Sequence, residues 1–257
     1  MLNLDPRIQK LTCKLSARDY ISSIAGDKYC IPILYSYTSV VEIDQSQFPK
    51  ECVIKPSHLS GSAIVIMDTP DLVSLSARTT GIAIMSKTEF DNLELDVKKR
   101  MQTWLNKDHV YHPTKYPERG YSGIQPRILV EPLLHWNTVE LPPDYKFHYY
   151  NGSLQFVQLD YDRSIGHKRQ FFDCEWNQLD VKVIFPKGIR EFSKPIQFEE
   201  MVDVSRKLAR GFELVRIDFL NSDEGLFVNE ISFFPDGGFG NFNNVMSALE
   251  VQATPSR

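Results

Sequence analysis

The chain has 257 residues, 42% apolar and 24% charged, with 29 Lys and Arg against 33 Asp and Glu for a formal charge of −4; this fits one large globular domain or two joined lobes and excludes a disordered chain. A slightly acidic balance gives no general attraction to nucleic acid or anionic membrane, so a polyanion site must be a local cluster of Lys and Arg. Cys13, Cys30, Cys52 and Cys174 show no C-x-x-C or zinc spacing and read as reduced thiols of a cytoplasmic protein, no run of 18 apolar residues reads as a transmembrane segment, and residues 1–14 carry charges where a signal peptide needs an apolar core.

In chain order, Leu15 to Ala25 reads as a short helix stopped by Gly26, and Cys30 to Tyr35 as a strand. Cys52 to Ile54 and Ala63 to Met67 are apolar strands around a short loop, while Val97, Met101, Trp104 and Leu105 mark a helix. Arg127 to Glu131 returns to strand. Tyr145 to Tyr150 and Leu154 to Asp160 flank Asn151-Gly152, a strong hairpin signal. Phe198, Met201, Val202, Ser205, Leu208, Ala209 and Phe212 give an amphipathic helix ended by Gly211. Hairpins with interspersed helices make the class α+β, divided as a lead segment at 1–50, a first lobe at 51–134 and a second at 135–257.

The last strand pair carries the most chemistry. Leu214 to Leu220 and Phe227 to Ser232 flank the loop 221–225, and strand side chains alternate between faces. Pairing Leu220 with Leu226 puts Arg216, Asp218, Glu230 and Ser232 on one face and Val215, Ile217, Phe219, Phe227 and Ile231 on the other. Asp218 and Glu230 then become diagonal neighbours, roughly 7 Å apart at Cβ. Two such carboxylates suit one or two hard cations such as Mg²⁺. The same residues also describe an exposed hairpin whose arginine and acids pair with one another, and a bulge would break the alternation.

Lys55 to Ser62 lies between two apolar strands, where a lysine and a small-residue loop can cover nucleotide phosphates. It is not a Walker A loop, because the lysine precedes the loop and no helix follows; a polar turn with an edge lysine is the plain alternative. His167-Lys168-Arg169 forms a second basic group, suited either to a terminal phosphate or to a solvated connection. None of the six histidines sits in a recognisable nucleophile motif.

Taken in order, IKPSHLSGS (54–62), RILVEPLL (127–134), DYKF (144–147), Arg216-x-Asp218 and Asn229-Glu230-x-Ser232 resemble the ATP-grasp superfamily, and within it the TupA-like group associated with teichuronopeptide and surface-polysaccharide biosynthesis. The resemblance runs over roughly residues 12 to 240. It implies two α+β lobes gripping ATP between them, behind a shortened N-terminal segment. It further implies that Lys14 and Lys55 approach the phosphates and that Ser57, Ser60, Gly61 and Ser62 close over them. Glu131 and Leu133 would mark the adenine hinge, and Asp144 would bond the ribose. Lys146, or Lys168 with Arg169, would face the terminal phosphate, Arg216 would steady the transferred phosphoryl group, and Asp218 and Glu230 would ligate Mg²⁺.

Two departures from that pattern bear on the site. Ser232 stands where many such ligases carry Asn, which makes it a weaker, water-bridged ligand, and Leu59 stands where related loops carry Gly, which stiffens the lid. The implied activity is carboxylate–amine ligation through an acyl phosphate, joining a saccharide or small-molecule carboxylate to an amine beside other polysaccharide-biosynthesis enzymes. Pro235 to Gly240 would line the acceptor site. The rival activities are a phosphotransferase on the same fold and a non-catalytic nucleotide-binding partner of a glycosyltransferase.

Overall fold

The computed structural model describes residues 5–68, 81–107, 123–137, 140–163, 166–233 and 242–253. The chain opens on two helices, α1 (Pro6–Thr12) and α2 (Lys14–Ala25). Gly26, at φ 107, ends α2, and its N–H donates back to the Ile21 and Ser22 carbonyls. The next strand, β1 (Tyr35–Tyr37), begins where a strand over Cys30 to Tyr35 was expected to end. Cys30 instead makes a lone bridge to Val228, and Pro32, having no N–H, cannot extend a ladder through this stretch.

The first sheet is ordered β1-β5-β2-β3-β4, from β2 (Cys52–Pro56), β3 (Ala63–Ile66), β4 (Ile82–Met85) and β5 (Ile128–Pro132). Its two faces separate by parity. Cys52, Ile54, Ile64, Ile66, Ala83, Ile128 and Val130 pack against Phe90 of α3 (Lys87–Asn92) and against Val97, Met101 and Trp104 of α4 (Glu94–Asn106). The opposite face carries Val53, Val65 and Ile84 in register, a patch completed by Met67 and Leu133, with Lys55 and Glu131 beside it.

The second sheet is ordered β11-β10-β6-β7-β8-β9, from β6 (Asp144–Tyr150), β7 (Ser153–Tyr161), β8 (Lys168–Phe172), β9 (Gln178–Leu179), β10 (Leu214–Ser222) and β11 (Gly225–Ser232). The Asn151-Gly152 turn has both residues at positive φ, 47 and 76, as a two-residue hairpin requires. One face carries Tyr145, Phe147, Tyr149, Val157, Leu159, Val215, Ile217 and Phe219, buried under α2 and α5 (Phe198–Ala209). In α5 the buried residues are Phe198, Met201, Val204, Ser205, Leu208 and Ala209, so Val204 takes the inward place that Val202 was expected to share. A last helix, α6 (Asn243–Ala253), supplies Val245 to a smaller cluster with Phe156, Phe171 and Leu179.

The β10–β11 register differs from the expected one. Leu220 opposes Phe227 rather than Leu226, and a bulge at Asn229 shifts the pairing again so that Asp218 faces Glu230 and Arg216 faces Ser232. The extra residue reverses the alternation upstream. Leu226 and Val228 therefore enter the core, where the unbroken pattern had placed Phe227, and Asn229 and Glu230 both reach the polar side.

Candidate active site

The polar face of the second sheet is built by alternation on four neighbouring strands. The β6–β7 hairpin sets Asp144 opposite Asp160 and Lys146 opposite Gln158, and β6–β10 pairing sets Lys146 beside Asp218 and His148 beside Arg216. Lys146 Nζ donates to Asp144 Oδ2 and Asp218 Oδ2, at 2.7 Å each. Arg216 donates through Nε to Asp218 Oδ1 at 2.6 Å and through Nη2 to Asp218 Oδ2 at 2.7 Å. Its guanidinium also stands 3.8 Å from Glu230 Oε2. Asp144 Oδ2 accepts a further bond from Arg163 at 2.6 Å, while its Oδ1 is buried without a partner.

Asp218 is not an acid of an exposed hairpin: its side chain is 0% exposed and both oxygens are occupied by cations. Burial would raise its pKa, but Arg216 and Lys146 outweigh that and hold it at about 2. Burial likewise opposes the charge of Lys146, yet Asp144 and Asp218 keep its pKa above the ordinary lysine value. His148, buried next to Arg216, is pushed down to about 3, chiefly by burial, and is neutral at physiological pH with Nε2 3.1 Å from Gln158 Oε1.

The basic group after β7 divides between two faces. Arg169 is buried on the polar side, where Nε and Nη2 bond both oxygens of Asp160 at 2.7 and 3.0 Å. Burial works against the Asp160 charge, but His167, 3.4 Å away, and the bonded Arg169 carry its pKa well below the ordinary value. Lys168, one residue earlier on β8, pairs with Tyr161 on the opposite face and does not reach the cleft. A strand, not a solvated loop, therefore holds this pair, and alternation within it separates the two expected catalytic cations.

Across the cleft, Lys55 Nζ is 2.7 Å from Glu131 Oε2, and both side chains are buried. It also reaches Asn229 Oδ1 at 3.4 Å, a contact that ties the first sheet to the bulge of β11. Glu131 lies near the end of β5 as the partner of Lys55. The loop after β2 is partly anchored. Ser57 N–H donates to the Arg127 carbonyl at 2.9 Å, and its Oγ accepts from Arg127 N–H at 3.2 Å, so its hydroxyl is engaged in the fold. Leu59 is buried in the first core, and its carbonyl accepts from Lys14 Nζ at 2.6 Å. Ser60, Gly61 and Ser62 form the accessible tip, with Gly61 at φ 66. Leu59 thus stiffens the loop by insertion into the core as well as by restricting its backbone.

Lys14, Lys55, Glu131, Asn229 and Glu230 meet in one pocket. Leu133 joins Val65, Met67 and Ile84 on the adjoining apolar patch. Pro235 to Gly240 lies outside the described residues. The residues that sequence reasoning left without a role are Asn229, Arg163, Asp160, Gln158 and His148. A signal existed for the last three: polar residues at every second position of 144–148 and at 158 and 160, on either side of the Asn-Gly turn. Nothing local marked Asn229, because the bulge is a property of the strand pair.

Asp218 and Glu230 are directly opposed carboxylates, and Glu230 is half-buried with a long contact to Arg216. Among the described residues no group of three His, Cys, Asp or Glu converges on a metal position. A pair of carboxylates without a complete protein cage fits Mg²⁺, which usually takes one or two carboxylates and completes its shell with phosphate oxygens and water.

Among solved structures, the chain is similar to D-alanine–D-alanine ligase from Bacillus anthracis, at 13% identity and a TM-score of 0.46 over 95% of this chain and 62% of that one. It is similar to D-alanyl-alanine synthetase A from Vibrio cholerae at 13% identity and a TM-score of 0.48, over 95% and 61% of the two chains. D-cycloserine synthetase DcsG aligns at 11% identity and a TM-score of 0.46, over 97% and 72%. The chain spans about three-fifths of the length of the first structures it matches. None of the curated proteins matches it. The TupA-like ATPgrasp family model matches residues 3–249, nearly the whole chain, and the protein belongs to that family.

Proposed function

We propose that the protein is an ADP-forming carboxylate–amine ligase that binds Mg²⁺ and ATP in the cleft between the two sheets. The observation that carries this reading is the linked group Asp144–Lys146–Asp218–Arg216, with Glu230 opposite Asp218 and lining one pocket with Lys14 and Lys55. Such an arrangement is a charge-balanced bed that a polyphosphate and its cation can enter by exchanging partners, which suits chemistry done by positioning and electrostatics. The apolar patch of Val65, Met67, Ile84 and Leu133 supports a base-binding wall, and the unpartnered Asp144 Oδ1 supports a hydroxyl contact such as ribose supplies.

In this reading Lys14 and Lys55 neutralise phosphate charge, and Arg216 and Lys146 turn from Asp218 toward the transferred phosphoryl group. Asp218 and Glu230 hold Mg²⁺, and Ser232 contributes through water. The metal supplies charge neutralisation and orientation of the phosphates. Arg169 fixes Asp160 and through it the polar face, and Lys168 takes no part. A substrate carboxylate oxygen attacks the γ-phosphorus and ADP leaves with the bonding electrons. The amine lone pair then attacks the acyl carbon, phosphate departs, and the ammonium proton is lost to solvent, leaving an amide.

For the acid we propose a uronic acid or amino acid of a cell-surface polymer, and for the protein a cytoplasmic place beside other polysaccharide-biosynthesis enzymes, a reading supported by the family resemblance. Among the described residues no helix is long and apolar enough to cross a membrane. Hydroxylamine trapping with ATP, Mg²⁺ and a panel of uronic and amino acids tests the reaction class, and a hydroxamate with stoichiometric ADP is the expected product. Stable phosphorylated product without hydroxamate would identify a phosphotransferase, and nucleotide binding without any ADP release would identify a non-catalytic partner.

A further inference from the structure

The pocket that Lys55 and Glu230 share extends past the phosphate loop along α2. Its wall on that side is one helix face, Lys14, Ala17, Arg18 and Ile21, spaced at three and four residues. The other wall is Val228 to Ile231 of β11. The N-terminal end of α2 is fixed to the loop, since Lys14 N–H donates to Ser57 O at 3.0 Å and its Nζ to Leu59 O. Arg18 lies four residues further on, about 6 Å along the helix axis, where its guanidinium donates to the Ile31 carbonyl. Among the described residues no carboxylate lies within 4 Å of either cation, and burial lowers the pKa of Lys14.

Charge accounting around the pocket decides what it lacks. Lys55 is already compensated by Glu131. If Lys14 meets phosphate and Glu230 meets a metal, the half-buried Arg18, bonded to the Ile31 carbonyl, is the cation left without a carboxylate partner in a pocket whose walls beside it are Leu11, Thr12, Ile21, Ile31, Val228 and Ile231. A charge withdrawn from water calls for one opposite charge. The enclosed interior is about 20 Å³, on a scale where roughly 10–15 Å³ suffices for a single water. That space admits about one water-sized group, so an acid would enter it by one carboxylate oxygen, with the body of the molecule leaving through the mouth.

We propose that the space between α2 and β11 is a subsite for a monoanionic carboxylate, the head group of the co-substrate, with Arg18 as its specificity-determining residue. The word co-substrate rests on the ligase reading; the subsite itself does not.

The test measures binding, in the presence of Mg²⁺ and a non-hydrolysable ATP analogue, by saturation-transfer NMR. Glucuronate, glutamate and lactate are the probes, with glucose as the neutral counterpart of glucuronate. We expect at least one acid to bind where glucose does not, Arg18→Gln to weaken it tenfold or more, and Arg18→Lys, which keeps the charge, to recover part of the loss. Nucleotide affinity should stay within twofold in both variants, which also reports that they are folded. Equal acid binding in wild type and Arg18→Gln, or no preference of the wild type for any of the acids, overturns the proposal. Hydroxylamine trapping of the same acids separates this from the reaction class. A hydroxamate whose acid KM ignores Arg18 removes the subsite and keeps the ligase, whereas Arg18-dependent binding without hydroxamate keeps the subsite and removes the ligase.

Discussion

Replacing Asp218 by Asn tests the buried charge network directly. The substitution keeps shape but leaves Arg216 and Lys146 beside a neutral amide whose N–H₂ end faces one of them. A carboxyl held at about 2 instead of its ordinary 3.8 contributes roughly 2–2.5 kcal/mol at neutral pH. Removing one partner of a buried ion pair costs about 3–5 kcal/mol, more than the linkage value because the surviving cations stay desolvated. For a chain of this size that corresponds to a fall in Tm of roughly 10 °C. Urea unfolding followed by fluorescence of Trp104, Trp136 and Trp176 reads the change, together with nucleotide binding. Because the folded pKa is depressed, the stabilisation is present above about pH 4 and is lost as pH falls toward 2, so Asp218→Asn should lack that part of the acid limb. Adding Lys146→Met restores charge balance and should recover part of the stability, with a coupling of order 1–3 kcal/mol. An unchanged urea midpoint in Asp218→Asn would refute the buried network and restore the picture of an exposed metal carboxylate.

Lys55→Ala should raise the nucleotide Kd about tenfold or more by removing a charged phosphate contact, and calorimetry showing an unchanged Kd would count against that role. Leu59→Ala should cost about 2–5 kcal/mol because the side chain is 1% exposed in the first core; faster backbone hydrogen exchange confined to residues 57–62 is the expected signature, and no change would detach the loop from the core. His135 Nδ1 lies 2.8 Å from Glu224 and Nε2 3.2 Å from Glu51, joining the two sheets. Burial opposes its charge, but Glu224 and Glu51 outweigh it and raise the pKa above 6.5, so its stabilisation is full below that value and is lost as pH rises through the raised one. His135→Gln should therefore flatten stability against pH in that window, and an unaltered profile would sink the assignment.

Much of the fold was legible because it rests on local rules. The alternation in β6 and β7, the positive-φ demand of Asn151-Gly152 and the amphipathic spacing of α5 are each written in a few neighbouring residues. The order of motifs around Lys55, Glu131, Asp144, Asp218 and Glu230 was legible too, and with it the family. The short strand β4 lay hidden because four apolar residues carry no readable period. β8 lay hidden because Lys168 and Arg169 look solvated until Asp160 is known to stand opposite.

The amino-acid sequence by itself determined which residues could share a face, since side-chain alternation and helical spacing are properties of the backbone. Which face each joined, and against what, only the tertiary structure decided. The bulge at Asn229 reset the register of β11, placed Glu230 directly against Asp218 and brought Asn229 to Lys55. Burial then worked against the charges, and Asp218 keeps its charge through Arg216 and Lys146 while Lys146 keeps its charge through Asp144 and Asp218. No window of sequence contains that information, since Lys146 and Asp218 are 72 positions apart and meet only when β6 pairs with β10.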